Sequence, residues 1–234
     1  MYAKFFKRFF DFFLSLFALL VLSPILILLT VIGAIVMKGN PFFTQYRPGK
    51  KDKSGKEKIF KLIKYRTMTN EKDTYGKLLP DDIRLNRYGK FLRSTSLDEL
   101  PELLNIIKGD MAIIGPRPQL VRDMIFMTEE QRHRHDVRPG LSGLAQINGR
   151  NNILWEKKFE YDNKYIDDGI TLAGDLCILF ATIAKVFKSS DIARDGTVSD
   201  TDFGDYLLQK GEINNNDYAI GQSEAESIIK NMMV

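Results

Sequence analysis

The chain has 234 residues, 44% hydrophobic and 27% charged, which suits one folded domain with an appendage and excludes a wholly disordered chain. Its single cysteine, Cys177, excludes an internal disulfide and a cysteine-based metal cluster, and fits a reducing compartment. The net charge of +4 is unevenly spread: residues 1–70 hold 13 Lys/Arg against 3 Asp/Glu, the remainder 21 against 27, so the N-terminal part suits an anionic neighbour.

From Phe12 to Met37 run 26 residues without a charge. That exceeds the roughly 20 residues needed to span a bilayer and the length of a signal-peptide core. Ser23-Pro24 lies near the middle. Proline removes a helix hydrogen bond, and the serine can bond back to a carbonyl one turn earlier. Lys4, Lys7 and Arg8 precede the run; Lys38, Arg47, Lys50, Lys51, Lys53, Lys56 and Lys58 follow it. Both flanks are therefore cytoplasmic by the positive-inside rule. A helix broken at Ser23-Pro24 that enters and leaves by one leaflet satisfies both flanks; a kinked spanning helix is the alternative. Asp11 can pair with Lys7 and Arg8 at helical spacing.

The charged run 50–58 reads as a solvated loop and 59–68 as a strand. Residues 70–90 are polar and irregular. A helix is predicted from Ser96 to Lys108, stopped by Gly109. Residues 110–118 read as a short buried strand entering a stiff turn, 118–135 as a helix, and the glycine-rich 137–150 as loop, strand and loop. Residues 155–166 have the pattern of an amphipathic helix. Residues 172–187 are helical and apolar nearly all round, suiting either the core or a membrane face. Residues 191–234 carry 9 Asp/Glu against 3 Lys/Arg and read as a peripheral, partly disordered tail.

The chemistry-bearing candidates are cations in motif-like stretches and one carboxylate pair. Lys64 and Arg66 lie in "KYRTM", Arg93 in "LRSTS", Arg117 in "GPRP" and Arg150 in "QINGR". Prolines on both sides of Arg117 stiffen its backbone, which suits bidentate phosphate binding. Asp98 and Glu99 admit two readings. With Ser96 they fit a capping box at a helix start. Equally, one carboxylate can attack phosphorus while the other holds Mg²⁺.

Taken together, "VLSPIL", "KYRTM", "LRSTSLDELPELLNIIKGDM", "IIGPRP", "VRPGLSGLAQINGRN" and the aromatic helix after Trp155 run in one order over about residues 1–190. In this the chain resembles the small monotopic phosphoglycosyl transferases, bacterial sugar transferases that begin lipid-linked glycan assembly. The resemblance implies an α+β, mostly helical protein. Its parts are a re-entrant membrane helix (1–38), a compact cytoplasmic catalytic domain (39–190) with interfacial amphipathic helices, and an acidic C-terminal tail (191–234) of unassigned role. It implies transfer of a sugar-1-phosphate from a UDP-sugar to undecaprenyl phosphate at the cytoplasmic leaflet of the bacterial inner membrane, releasing UMP. Asp98 is then the nucleophile, through a covalent phosphosugar-aspartate, and Glu99 binds Mg²⁺. Arg93 organises the site and Arg117 meets the phosphates. Lys64, Arg66, Gln146 and Arg150 line the polar pocket, and Asp162 partners a site arginine. A homo-oligomer is compatible with this reading.

Larger members carry extra spanning helices and a further domain ahead of this module, neither of which this chain is expected to hold. The stretch 191–202 partly mimics a calcium loop, but Ala193 and Asp202 depart from the pattern, so an ordinary acidic loop is expected. "RHRHD", 132–136, is expected as exposed surface rather than a metal site. Two rival readings remain: a non-enzymatic protein whose basic face binds anionic lipid, and a Mg²⁺-dependent hydrolase of UDP-sugars. Nucleic-acid binding is disfavoured, because no aromatic-basic pattern accompanies the charge.

Overall fold

A computed structural model of the chain describes residues 1–149, 153–188 and 201–233. A short π-helical stretch, Tyr2–Phe6, runs directly into α1 (Lys7–Val36). Lys7, Asp11, Ser15, Leu29 and Gly33 are buried on α1, a stripe at helical spacing. Phe9, Phe17, Leu20, Ile27, Leu28 and Ile35 are each more than half exposed, an apolar surface suited to lipid rather than water.

Both ends of α1 rest on the same body. Near its start, Lys7 pairs with Asp175 at 2.6 Å and Asp11 accepts the Ile113 N–H at 3.0 Å. Asp11 thus spends its carboxylate chiefly on this backbone amide, with Lys7 more distant at 4.0 Å. Ala18 and Leu19 pack against Phe60, Leu62, Leu103, Ile106 and Met111. Further on, the Tyr65 and Tyr88 hydroxyls donate to the Leu26 and Leu29 carbonyls, each at 2.8 Å.

The helix is continuous across Ser23-Pro24, where the sequence predicts a break. Pro24 has no N–H for the Leu20 carbonyl one turn back. Ser23 Oγ donates to that same carbonyl at 2.8 Å, so the acceptor stays satisfied and the helix carries on.

The body begins with an antiparallel hairpin, β1 (Phe42–Lys51) and β2 (Glu57–Tyr65), paired from Phe42↔Tyr65 to Lys51↔Glu57. The predicted charged loop is its tip, where Asp52 accepts the N–H groups of Ser54 and Lys56. Strand β1 is not legible in the sequence, because "FFTQYRPGKK" has neither clean alternation nor freedom from proline. A second, parallel pair joins β3 (Ala112–Ile114) to β4 (Gly140–Ser142).

Helices surround these pairs: α2 (Asp81–Arg84), α3 (Arg87–Thr95), α4 (Glu102–Lys108), α5 (Val121–Ile125), α6 (Glu129–Arg132), α7 (Leu144–Ile147), α8 (Trp155–Asp167) and α9 (Leu172–Lys188). The predicted helix 96–108 is shorter than expected. Ser96 is left-handed (φ 55°) and ends α3, a 3-10 turn covers Leu97–Glu99, and α4 follows Pro101. The predicted helix 118–135 is likewise divided into α5, α6 and a 3-10 turn. Thr128 starts α6 with a local capping box, exchanging bonds with Gln131.

On α9 one side is buried and the other exposed. Asp175 and Ile178 are buried, while Leu172, Leu176, Phe180 and Ile183 form an exposed apolar row.

The acidic C-terminal region is more ordered than its composition predicts. Helices α10 (Phe203–Lys210) and α11 (Asn215–Asn231) pack onto the body. Its apolar groups are few but concentrated: Phe203 and Leu207 complete a core with Met127, Trp155 and Phe159. Most of the calcium-loop mimic, 191–200, lies outside the described residues; Asp202 at its end pairs with Arg122.

Candidate active site

The site is built where α4 lies against β2. Asn105, fully buried on α4, accepts the Ile63 N–H at 3.1 Å and donates to the Lys61 carbonyl at 2.8 Å. It thereby serves β2 as a strand neighbour would. The next residue along β2, Lys64, is brought to the head of α4. There its ammonium meets Glu99 Oε1 at 2.8 Å and Glu102 Oε1 at 3.1 Å. Arg117 reaches the same Glu99 oxygen at 2.6 Å.

Ser96 makes no side-chain cap to this turn, so the capping-box reading is not realised. The Glu99 side chain instead points to the two cations. Among the described residues, the Asp98 carboxylate makes no hydrogen bond or ion pair. At the other end of α4, Arg8 donates to the Ile107 carbonyl at 2.7 Å, satisfying an otherwise orphaned acceptor and suiting the helix dipole.

The two neighbouring acids therefore differ in kind. Burial, reinforced by the negative charge of Glu99, pushes Asp98 up to about 6, while Lys64, Arg117 and Arg93 oppose the shift. Burial would raise Glu99 too, but Arg117 and Lys64 overcome it and hold Glu99 well below the usual carboxylate range. Glu102 is pushed up to about 7 by burial, against Lys64. Burial would lower Lys64, but Glu102 and Glu99 win and keep it charged. Arg117 is raised by Glu99 beyond its already high value.

The loop carrying Arg117 is tied down through its backbone. Gly140 N–H donates to the Pro116 carbonyl at 2.9 Å. Arg134 donates to the Arg117 carbonyl at 2.6 Å, and Arg47 to the Pro118 carbonyl at 3.2 Å. Asp162 in turn holds Arg134 at 2.6 Å, both side chains being at most 2% exposed. Asp162 thus acts on an arginine behind the loop. Burial, the leading influence, raises Asp162 to about 6 even beside Arg134.

The remaining predicted residues are more dispersed. Arg93, in the last turn of α3, donates to Thr67 Oγ1 at 3.1 Å, and its charge is felt at Asp98. Arg66 turns to the start of the hairpin, 3.4 Å from the Phe42 carbonyl. Gln146 is buried on α7, with Ser142, Ile147, Thr182 and Lys185 around a small cavity. Arg150 lies outside the described residues.

Glu102, Asn105, Arg134 and Arg47 are absent from the sequence-derived set. The available signal was two polar residues, Glu102 and Asn105, three apart on a helix whose Leu103 and Ile106 enter the core. The stretch 132–136, expected as surface, contains Arg134 and His135 at 1% and 5% exposure. Burial lowers His135 to about 4 even though it faces Glu57, and the pair joins this turn to β2.

The donor set suits Mg²⁺. Both cations bond Oε1 of Glu99, leaving Oε2 as a hard oxygen donor. The described residues contain no group of three or more His, Cys, Asp or Glu that could cage a metal.

The family described as bacterial sugar transferase matches residues 2–189. An uncharacterized sugar transferase, EpsL of Bacillus subtilis, is 46% identical over 194 residues, covering 82% of this chain and 93% of that one. A UDP-glucose:undecaprenyl-phosphate glucose-1-phosphate transferase of Klebsiella pneumoniae is 39% identical over 192 residues, 78% of this chain and 40% of the relative. An undecaprenyl-phosphate galactose phosphotransferase of Salmonella typhimurium is 33% identical over 218 residues, 83% of this chain and 42% of the relative.

Proposed function

The chain belongs to the bacterial sugar transferase family and is a phosphoglycosyl transferase; we propose that it moves a sugar-1-phosphate from a UDP-sugar to undecaprenyl phosphate. In this reading, an ionised oxygen of Asp98 attacks the sugar-bearing phosphorus. The bond from that phosphorus to the bridging oxygen breaks, and UMP leaves with the oxygen. A phosphate oxygen of undecaprenyl phosphate then attacks the same phosphorus. The acyl-phosphate bond breaks, and Asp98 returns as a carboxylate. Neither step requires a proton on Asp98.

The observation that carries this reading is the division of charge at the head of α4. Glu99 engages Lys64 and Arg117 through one oxygen, while the adjacent Asp98 carboxylate makes no hydrogen bond among the described residues. The cations that restrain Glu99 also suit the negative charge of a diphosphate. Arg93 organises the site, Arg117 meets the phosphates and Lys64 lines the pocket, while Arg66 and Gln146 face elsewhere. Mg²⁺, held by Glu99, would supply neutralisation of the diphosphate charge when bound.

The membrane placement follows the same logic. Both ends of α1 lie on one body, which supports a helix that enters and leaves through a single leaflet. Basic residues on both flanks favour the cytoplasmic face of the inner membrane. The catalytic unit, residues 39–190, then sits where a soluble nucleotide sugar meets a lipid-held phosphate.

The deciding experiment is UMP release by detergent-solubilised protein with a panel of UDP-sugars, Mg²⁺, and undecaprenyl phosphate present or omitted. Release that requires the lipid and disappears in Asp98→Asn supports the transferase. Sustained turnover without lipid would replace it with the hydrolase. No release with any sugar from folded protein would overturn the catalytic reading.

A further inference from the structure

The C-terminal helices lie outside the family-matched residues 2–189, yet they are joined to the Arg117 loop by specific contacts. Asp123, 2% exposed, accepts two backbone N–H groups, one on each of its oxygens. One comes from Leu120 at the end of the loop, at 2.9 Å, and the other from Phe203 at the start of α10, at 2.8 Å. Beside it, Arg122 pairs with Asp202. The Trp155 indole donates to the Thr201 carbonyl at 3.1 Å, and its ring lies 5.1 Å from that of Phe203.

The seat for these helices is shaped around one ring. A Cβ added at Gly204 would lie 2.6 Å from Phe126, and one at Gly221 would lie 2.5 Å from it. Tyr218 stacks on the same ring, 6.0 Å away and 9° from parallel. Only residues without side chains allow α10 and α11 to close on Phe126 from two sides. Further along, Ala225 packs with Val121 and Met124.

We propose that residues 201–231 are an intramolecular brace for the Arg117 loop, and that Asp123 is the positioning residue that couples the two. The brace acts on the backbone at Leu120, three residues from Arg117. It adds to the ties that Arg134 and Arg47 make at Arg117 and Pro118. Its functional consequence rests on the reading of Arg117 as a phosphate-binding residue; its structural consequence does not.

Gly221→Leu in the full-length chain is the direct test, read by hydrogen exchange over 116–123 and 201–231 and by UMP-release kinetics. Exchange should rise in both segments together, and kcat should fall about 10- to 100-fold, as misplacement of a positioned group by about 1 Å does. Adding Phe126→Ala makes room for the leucine and should restore protection and most of the activity. Asp123→Asn keeps the shape but provides a single acceptor oxygen. It should loosen the loop while α11 stays protected, which distinguishes the tie from a general loss of fold. Faster exchange confined to 201–231, with the loop and kcat unchanged, would overturn the proposal. Absence of UMP release in the parent chain would count against the transferase reading alone, because the exchange arm still decides the brace.

Discussion

Lys64 Nζ lies 2.8 Å from Glu99 Oε1, and this contact makes two adjacent carboxylates unlike each other. Glu99 is held ionised by Lys64 and Arg117. Asp98, one residue earlier, is half-buried, has no bonded cation among the described residues, and is pushed up to about 6 by desolvation. A carboxylate with that character stays ionised at neutral pH, yet is a stronger base than an ordinary aspartate, which suits the nucleophilic role proposed for it.

The first prediction is a pH dependence. On the proposed reading Asp98 attacks as a carboxylate, so kcat/KM should fall about tenfold per unit as pH drops below about 6. Activity should be flat from there to neutrality. A UMP-release profile across pH 4.5–8 checks this, and a decline beginning only near 4 would contradict it. Asp98→Asn should lose the phosphosugar adduct at residue 98, detectable by mass spectrometry of acid-quenched protein.

Lys64→Met should destabilise the fold by about 3–5 kcal/mol, because it strands Glu99 and Glu102 with one fewer cation. Adding Glu102→Gln should recover part of the loss. Urea unfolding in detergent measures both, and equal stabilities for the single and double variants would refute the shared contact.

Glu102 also predicts how stability depends on pH. Its folded-state value is raised from 4.5 to about 7, so the folded protein binds the proton more tightly than the unfolded chain. Its contribution is complete below the unfolded value and is lost as pH rises through about 7. The melting temperature of Glu102→Gln should therefore vary less between pH 5 and 8 than that of the parent.

Asn105→Ala should cost about 2–4 kcal/mol, since it leaves the Ile63 N–H and the Lys61 carbonyl without their partner. It should also reduce kcat more than a surface substitution of equal size, because Lys64 is carried on the same strand. A wild-type kcat in a folded Asn105→Ala protein would show that β2 does not need this clamp.

The re-entrant reading can be tested with single cysteines in a Cys177→Ser background. Residues 3 and 39 should both react with a membrane-impermeant thiol reagent from the cytoplasmic side of oriented vesicles. Labelling of the two from opposite sides would instead favour a spanning helix.

Much of the architecture was legible where one strong local signal acted alone. The uncharged run from Phe12 made a long apolar helix hard to avoid, and the apolar spacing after Trp155 gave α8. Strand β1 escaped notice because its partner, not its own pattern, makes it a strand. The helix expected at 96–108 begins later because Ser96 turns left-handed to end α3. The C-terminal helices were hidden by acidic composition; Phe126 gives their small residues a seat that no local rule anticipates.

The sequence by itself determined the residue types: paired acids before Pro101, cations in four separated motifs, and a long apolar entry helix. Side-chain chemistry and helical spacing are local properties, so they can be read without coordinates. Only the tertiary structure decided which cation meets which acid. Lys64 is 35 residues from Glu99, and Arg117 is 18 away. Both reach one oxygen because Asn105 clamps α4 to β2 and Arg134 holds the loop from behind. The difference between Asp98 and Glu99 depends on burial and on distances to those charges, and both quantities exist only once the chain has packed.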